Sequence, residues 1–88
     1  MYLNYNDLCP APMSDFLEYM LSVKGRSEKT VSEYFLDLRT FYRFLVIRYK
    51  LSSQVDVFEE IDINFVTLDT LKKINIMDLH SFIAFIDR

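Results

Sequence analysis

The sequence predicts a small all-α domain of four helices, arranged as two helical hairpins with a long second helix. At 88 residues the chain is long enough for one domain and too short for two. Eight Phe and six Tyr can fill a small core, whereas one Gly and two Pro are too few for the turns of a β-sandwich or barrel. Apolar residues recur at three- and four-residue spacing, which is typical of amphipathic helices.

Residues 1–12 are predicted to form an extended leader, because they contain both prolines and show no hydrophobic period. The domain itself is predicted to span residues 13–88. Its first helix is expected over residues 13–24, where one apolar stripe is visible. Gly25 follows at the position where a helix commonly ends in a left-handed turn.

The second helix is expected to begin after Ser27, whose hydroxyl can cap the first turn, and to continue to about Lys50. Glu28 would then lie where the helix dipole favours negative charge. Eight apolar and aromatic residues fall within about 120° of arc and must face a core. They are Val31, Tyr34, Phe35, Leu38, Phe41, Tyr42, Leu45 and Tyr49.

Residues 51–66 are predicted to be an irregular acidic connector whose apolar residues attach it to the core. Apolar and polar residues alternate there as in a strand, but an isolated strand is not stable. A short third helix is expected over residues 68–74, capped by Thr67. Asn75 and Asp78 form the sequence pattern of a capping box at the start of a fourth helix.

The fourth helix is expected to turn one apolar stripe toward the core. That stripe consists of Ile76, Leu79, Phe82, Ile83 and Ile86. Phe85 lies roughly opposite and is expected to be exposed, where it would suit a contact with another domain or protomer.

Charge and cysteine content restrict the class of protein. The net charge of −3 and pI near 5.0 argue against a general polyanion binder. Residues 1–50 hold seven Lys and Arg against six Asp and Glu, so any nucleic-acid surface is expected in this half.

The single cysteine excludes a disulfide framework and fits a reducing cytoplasm. No apolar run approaches the roughly 20 residues that span a bilayer, and no membrane partner is expected.

Two segments carry a family resemblance. Residues 16–45 fit the pattern "kGlS–x–x–T" followed by "Y–x–x–D–L–x–x–F–x–x–F–L" at ten positions, and residues 74–86 show a capped "D–L–x–x–F" run. The matching residues of the first segment are Lys24, Gly25, Ser27, Thr30, Tyr34, Asp37, Leu38, Phe41, Phe44 and Leu45. These segments resemble the N-terminal core-binding domain of tyrosine recombinases, the phage-integrase and Xer-type family.

The resemblance implies a SAM-like four-helix domain that clamps one face of double-stranded DNA during integration and recombination. In that family a separate C-terminal domain clamps the other face and carries the catalytic residues. The resemblance therefore implies no enzymatic activity for these 88 residues, and a bacterial or phage-encoded parent whose protomers assemble on DNA. The open alternative is a SAM-like protein–protein interaction module without DNA binding.

Nine residues are predicted to contact DNA. Lys29, Arg39, Arg43 and Lys50 occupy about 80° of arc opposite the aromatic stripe, where they could line a phosphate backbone. Lys24, Arg26, Ser27, Lys29 and Thr30 cluster at the turn before the second helix, where free N–H groups and cations make an anion site. His80 on the fourth helix completes the set. The alternatives are an ordinary solvated face, a simple helix cap and a surface histidine.

The acidic residues of the second half are predicted to be solvated charge that points away from DNA. They lack the ligand order and the Gly of a calcium loop. This set is Asp56, Glu59, Glu60, Asp62 and Asp69. The sequence shows no nucleophile–base pair and no ligand set, so we expect no metal, no cofactor and no small-molecule ligand.

Overall fold

The computed structural model describes residues 4–53 and 57–87. Within these ranges the chain forms five α-helices, two short 3-10 helices and no β-strand, which confirms the all-α prediction. The α-helices are α1 (Tyr5–Leu8), α2 (Ala11–Ser22), α3 (Glu28–Arg48), α4 (Leu68–Lys72) and α5 (Ile76–Ile86), and the 3-10 helices span Phe58–Glu60 and Ile63–Phe65. Asp56 of the predicted connector lies outside the described residues.

Local hydrogen bonds explain where the helices begin and end. The Ser27 hydroxyl accepts from the Thr30 N–H at 3.1 Å, and the Thr67 hydroxyl accepts from the Thr70 N–H at 3.4 Å. Asn75 and Asp78 form the reciprocal capping box at the start of α5. Gly25 ends the preceding turn with a φ of 65°, which is the left-handed conformation expected there.

The N-terminal segment differs from the prediction. Tyr5–Leu8 is one turn of α-helix, so the extended leader is wrong for these residues. Tyr5 is only 2% exposed and its ring lies 5.6 Å from the ring of Phe35. Cys9 is also buried. The segment is too short to show a helical period, but Tyr5 and Cys9 are four residues apart and reach the core together.

The core lies between α1, α2 and α3. Leu17 on α2 and Val31, Leu45 and Val46 on α3 have no measurable exposure. The connector is irregular, as predicted, and its three buried aliphatic residues attach it to this core; they are Ile61, Ile63 and Val66. The apparent strand-like alternation therefore comes from two 3-10 turns that bury every second or third residue.

Helix α5 runs antiparallel to α3. Its first turn contacts the end of α3 through Asp78 and Arg48, and Phe82 packs on Phe41 and Phe44 with ring centroids 4.9 and 5.3 Å apart. Phe85 packs on Phe44 with ring centroids 5.4 Å apart. The predicted exposure of Phe85 is therefore wrong.

The predicted core stripe of α5 is wrong for four of its five residues. Ile76, Leu79, Ile83 and Ile86 are 61%, 41%, 53% and 53% exposed. Both sides of this helix are apolar, so periodicity alone could not choose between them. The contact of Asp78 with α3 turns Phe82 and Phe85 inward and leaves the four aliphatic residues outside.

Candidate nucleic-acid interface

The turn between α2 and α3 presents three basic side chains. Lys24, Arg26 and Lys29 are all exposed. The turn is held by the N–H of Arg26, which donates to the carbonyl of Met20 at 2.9 Å, and by the left-handed Gly25. The first N–H groups of any helix have no intrahelical acceptor, and they carry the positive end of the helix dipole. Positive charge is therefore concentrated at the start of the 21-residue helix α3.

Ser27 and Thr30 act as a cap. The Ser27 hydroxyl accepts from the Thr30 N–H and donates to the Thr30 Oγ1 at 3.0 Å. The Ser27 hydroxyl thus both donates and accepts within the protein, whereas Thr30 Oγ1 accepts in this pair. The exposed carboxylate of Glu28 lies in the same turn and offsets part of the basic charge.

Arg39 and Arg43 are half-buried, so the alternative of an ordinary solvated face does not describe these two positions. The guanidinium of Arg39 lies 5.4 Å from the centre of the Phe35 ring, and that of Arg43 lies 6.0 Å from the centre of the Phe58 ring. Nη2 of Arg43 donates to the backbone carbonyl of Glu59 at 2.6 Å. The Nε atoms of both arginines are buried without a hydrogen-bond partner. The connector covers this side of α3.

Charge around Arg43 reflects this packing. Burial and the nearby charge of Arg39 lower the pKa of the Arg43 guanidinium, and the Glu59 carboxylate partly opposes that change. An arginine remains protonated at neutral pH in any protein environment. The exposed Glu59 carboxylate therefore lies close enough to Arg43, one of the predicted DNA-binding residues, to act on its charge.

Lys50 and His80 lie apart from the basic turn. Lys50 is exposed just after the end of α3, with a φ of 54°. His80 is exposed on α5. From Lys29 to Lys50 the rise along a helix is roughly 30 Å, so the basic residues are spread along α3 and do not form one pocket.

A buried polar cluster that the sequence did not reveal joins α3 to α5. Asp78 is 3% exposed as a whole residue, and its carboxylate accepts hydrogen bonds from the Tyr49 hydroxyl, from Nε of Arg48 and from the Asn75 N–H. These bonds, that of Tyr49 first, lower the pKa of Asp78 to about 2. The sequence identified Asp78 as a helix-capping residue only, because nothing local connects it to residues thirty positions away.

Comparison with known families decides the class of this domain. The sequence model of a protein family described as "Phage integrase, N-terminal SAM-like domain" matches residues 13–87 of this chain.

The chain belongs to the phage-integrase N-terminal SAM-like domain family.

This SAM-like domain is also similar to part of a longer protein. It is 36% identical over 77 residues to the tyrosine recombinase XerC of Caldanaerobacter subterraneus subsp. tengcongensis. The match covers 88% of this chain and 22% of that recombinase. No solved structure matches the sequence significantly. The predicted resemblance to the N-terminal domain of an Xer-type recombinase is thus confirmed.

Two further properties of the SAM-like domain concern metals and membranes. Among residues 4–53 and 57–87, no three His, Cys, Asp or Glu side chains lie together in a way that could hold a metal ion. Over the same ranges, no helix is both long and apolar enough to cross a lipid bilayer.

Proposed function

We propose that this SAM-like domain binds double-stranded DNA as the N-terminal clamp of a site-specific tyrosine recombinase. The observation that carries the proposal is the exposed basic turn of Lys24, Arg26 and Lys29 at the start of α3, in a chain of the integrase family. Lysine and arginine side chains bind phosphate through charge, and a helix N-terminus adds oriented N–H donors.

Helix α3 supplies the length of the proposed surface. Lys29 near its start and Lys50 just beyond its end are separated by roughly 30 Å, the rise of about nine base pairs of duplex DNA. We assign Ser27 and Thr30 to a phosphate contact of their turn, in which the Thr30 hydroxyl hydrogen and the helix-start N–H groups outside the cap would donate. His80 on α5 would give one further contact.

Arg39 and Arg43 would contact DNA from a fixed position. Stacking on Phe35 and Phe58 restricts the two guanidinium groups before DNA arrives. Arg43 donates through Nη2 to Glu59 and has its Nε buried, so its remaining amino hydrogens are those we assign to phosphate. A preordered side chain loses less conformational entropy on binding.

The parent protein follows from the same proposal. Tyrosine recombinase XerC is the name of the relative, and this chain corresponds to 22% of its length. We therefore propose a longer polypeptide with a separate C-terminal catalytic domain, whose protomers assemble on DNA to integrate or recombine it. The 88-residue chain would contribute binding and no catalytic residue. We place the parent in the cytoplasm of a bacterium or in a phage-infected cell, where DNA is accessible.

The test is an NMR titration of the isotope-labelled chain with a short mixed-sequence duplex at low salt. We expect amide shifts at residues 24–30 and along the Arg39 and Arg43 side of α3. If about four phosphates are neutralised, the logarithmic salt slope will be on the order of −3.6. The absence of shifts at millimolar duplex would contradict DNA binding by this domain.

A protein–protein interaction module is the second candidate function. The observation that favours it is the row of exposed aliphatic side chains on α5, which DNA binding does not use. The duplex titration separates the two candidates, because an interaction module without DNA binding would show no salt-dependent shifts.

A further inference from the structure

Helix α5 carries an uncovered apolar ridge. Its four side chains, Ile76, Leu79, Ile83 and Ile86, keep between 41% and 61% of their surface exposed. At 100° per residue they fall within about 80° of arc, so they form one continuous row along the helix. Exposed apolar residues are common as single positions, whereas a continuous row indicates a surface that another element covers.

A half-open groove lies beside this ridge, between α3 and α5. Asp37 and Thr40 line it on the α3 side, and Phe82 and Ile86 line it on the α5 side. Its volume of about 490 Å³ is sufficient for several aliphatic side chains. Groove and ridge share Ile86, so one helix laid along α5 would contact both.

The rim of the groove is acidic. Asp37 lies in it, and the exposed Glu33 is four residues earlier on the same side of α3. The exposed Asp87 directly follows α5, and the last turn of α5 contains no basic residue. The negative end of the α5 dipole is therefore not compensated by its own side chains. An occupant with lysine or arginine along one flank would be stabilised here.

We propose that the ridge and groove hold an amphipathic helix with a basic flank, supplied by the part of the recombinase outside this SAM-like domain. The inference depends on the proposed parent recombinase and not on DNA binding. The family model describes an N-terminal domain, and the chain matches only 22% of the XerC relative. A segment of the same polypeptide acts at high effective concentration.

A second copy of this chain fits the surface less well. In a two-fold symmetric pair each groove would meet the same surface of its partner. Such a pair would bring the two acidic rims, including Asp37 and Asp87, toward each other. Like charges placed opposite each other disfavour association.

Cysteine labelling of the recombinase that carries this domain tests the proposal. Ile83→Cys places a thiol on the ridge, and Val23→Cys, at a position 71% exposed after α2, is the matched control. The native Cys9 is buried and its pKa is raised to about 11, so it reacts slowly. Labelling is measured without DNA, so the result is independent of the proposed DNA binding.

We expect the Ile83→Cys thiol to react with a maleimide about tenfold more slowly than the Val23→Cys thiol in the recombinase. In the 88-residue chain alone the two rates should agree within about threefold. Adding Asp37→Lys should restore fast labelling in the recombinase, whereas Asp15→Lys, an exposed change on α2, should not.

Three outcomes would overturn the proposal. Equal rates for Ile83→Cys and Val23→Cys in the recombinase would show that the ridge stays uncovered. Protection that appears only as protein concentration rises would assign the surface to a second copy. Slow labelling of the Ile83→Cys thiol that persists after Asp37→Lys would show that the occupant is not held by a basic flank, as the proposal requires.

Discussion

Asp78 on α5 and Arg48 at the end of α3 form an ion pair in which the carboxylate side chain is 4% exposed and the guanidinium side chain 34%. The same carboxylate also accepts from the Tyr49 hydroxyl. Arg48 at the end of α3 and the following residue Tyr49 thus hold one residue of α5, and this contact sets which face of α5 meets the core.

Acidic pH should lower the stability of the folded domain, because it protonates the Asp78 carboxylate. Its pKa is about 2 in the folded chain, against about 3.9 for an unperturbed aspartate. A depressed carboxyl pKa stabilises the fold above the unfolded value, and this contribution is lost as pH falls from about 4 to 2. We expect the urea midpoint to decrease over that range. The decrease should be smaller in Asp78→Asn and unchanged in Asp15→Asn, an exposed control on α2.

The N-terminal turn should be part of the stable domain. Tyr5 is 2% exposed and packs on Phe35, so we expect Tyr5→Ala to lower the free energy of unfolding by about 3 kcal/mol. Leu8→Ala, at a position 43% exposed on the same turn, should cost less than about 1 kcal/mol. Urea denaturation measures both. Equal, small effects would contradict the structural role of α1.

Substitutions of Ser27 should distinguish its role as a helix cap from a role of its turn in phosphate binding. Ser27→Ala removes the oxygen that accepts from Thr30 and should cost about 1 kcal/mol. Ser27→Asp retains a capping oxygen and the fold but adds negative charge beside Lys24 and Lys29, so its affinity for duplex DNA should decrease. Ser27→Asn is the neutral capping control. Unchanged DNA affinity in Ser27→Asp would exclude this turn from the DNA surface.

Charge reversal of the exposed lysines at the start of α3 should affect DNA binding and leave the fold intact. Lys24→Glu with Lys29→Glu changes two exposed side chains and should abolish DNA binding while helical circular dichroism is retained. Loss of the circular dichroism signal in this double variant would show a structural role for the two lysines.

Arg43 should behave differently, because it is packed against the connector. Arg43→Ala removes the bond to the Glu59 carbonyl and the stacking on Phe58, and should lower the free energy of unfolding by about 2 kcal/mol. Urea denaturation of Arg43→Ala beside Lys50→Ala, an exposed basic control, measures the difference. Equal stability of the two variants would contradict the packed arrangement of Arg43.

The sequence predicted those features that depend on neighbouring residues. Ser27, Thr67 and Asn75 were identified as caps because capping acts within three residues of the helix start. Gly25 was identified because a left-handed turn favours glycine. The long second helix followed from its uninterrupted apolar stripe, and the observed α3 ends within two residues of the predicted position.

The errors arose where distant segments meet. The burial of Phe85 and the exposure of Ile83 depend on a contact between residues 48 and 78. The partial burial of Arg43 depends on how the connector folds over α3, whereas Arg39 packs on Phe35 of its own helix. A helical wheel shows which residues share a face, but it cannot show which face another element will cover. The position of the basic turn before α3 was predicted because it depends on neighbouring residues alone, and its contact with DNA stays a prediction.

Helix α3 contacts α1 through Phe35, α2 through the shared core, the connector through Arg43 and α5 through Phe44. An element held from so many directions opens only when the whole domain unfolds, so its amide hydrogens should exchange most slowly. The proposed DNA-binding residues other than His80 lie on this helix or beside its two ends. Association with a duplex would then require little ordering of the backbone, and its rate should be governed by charge and diffusion and not by a folding step.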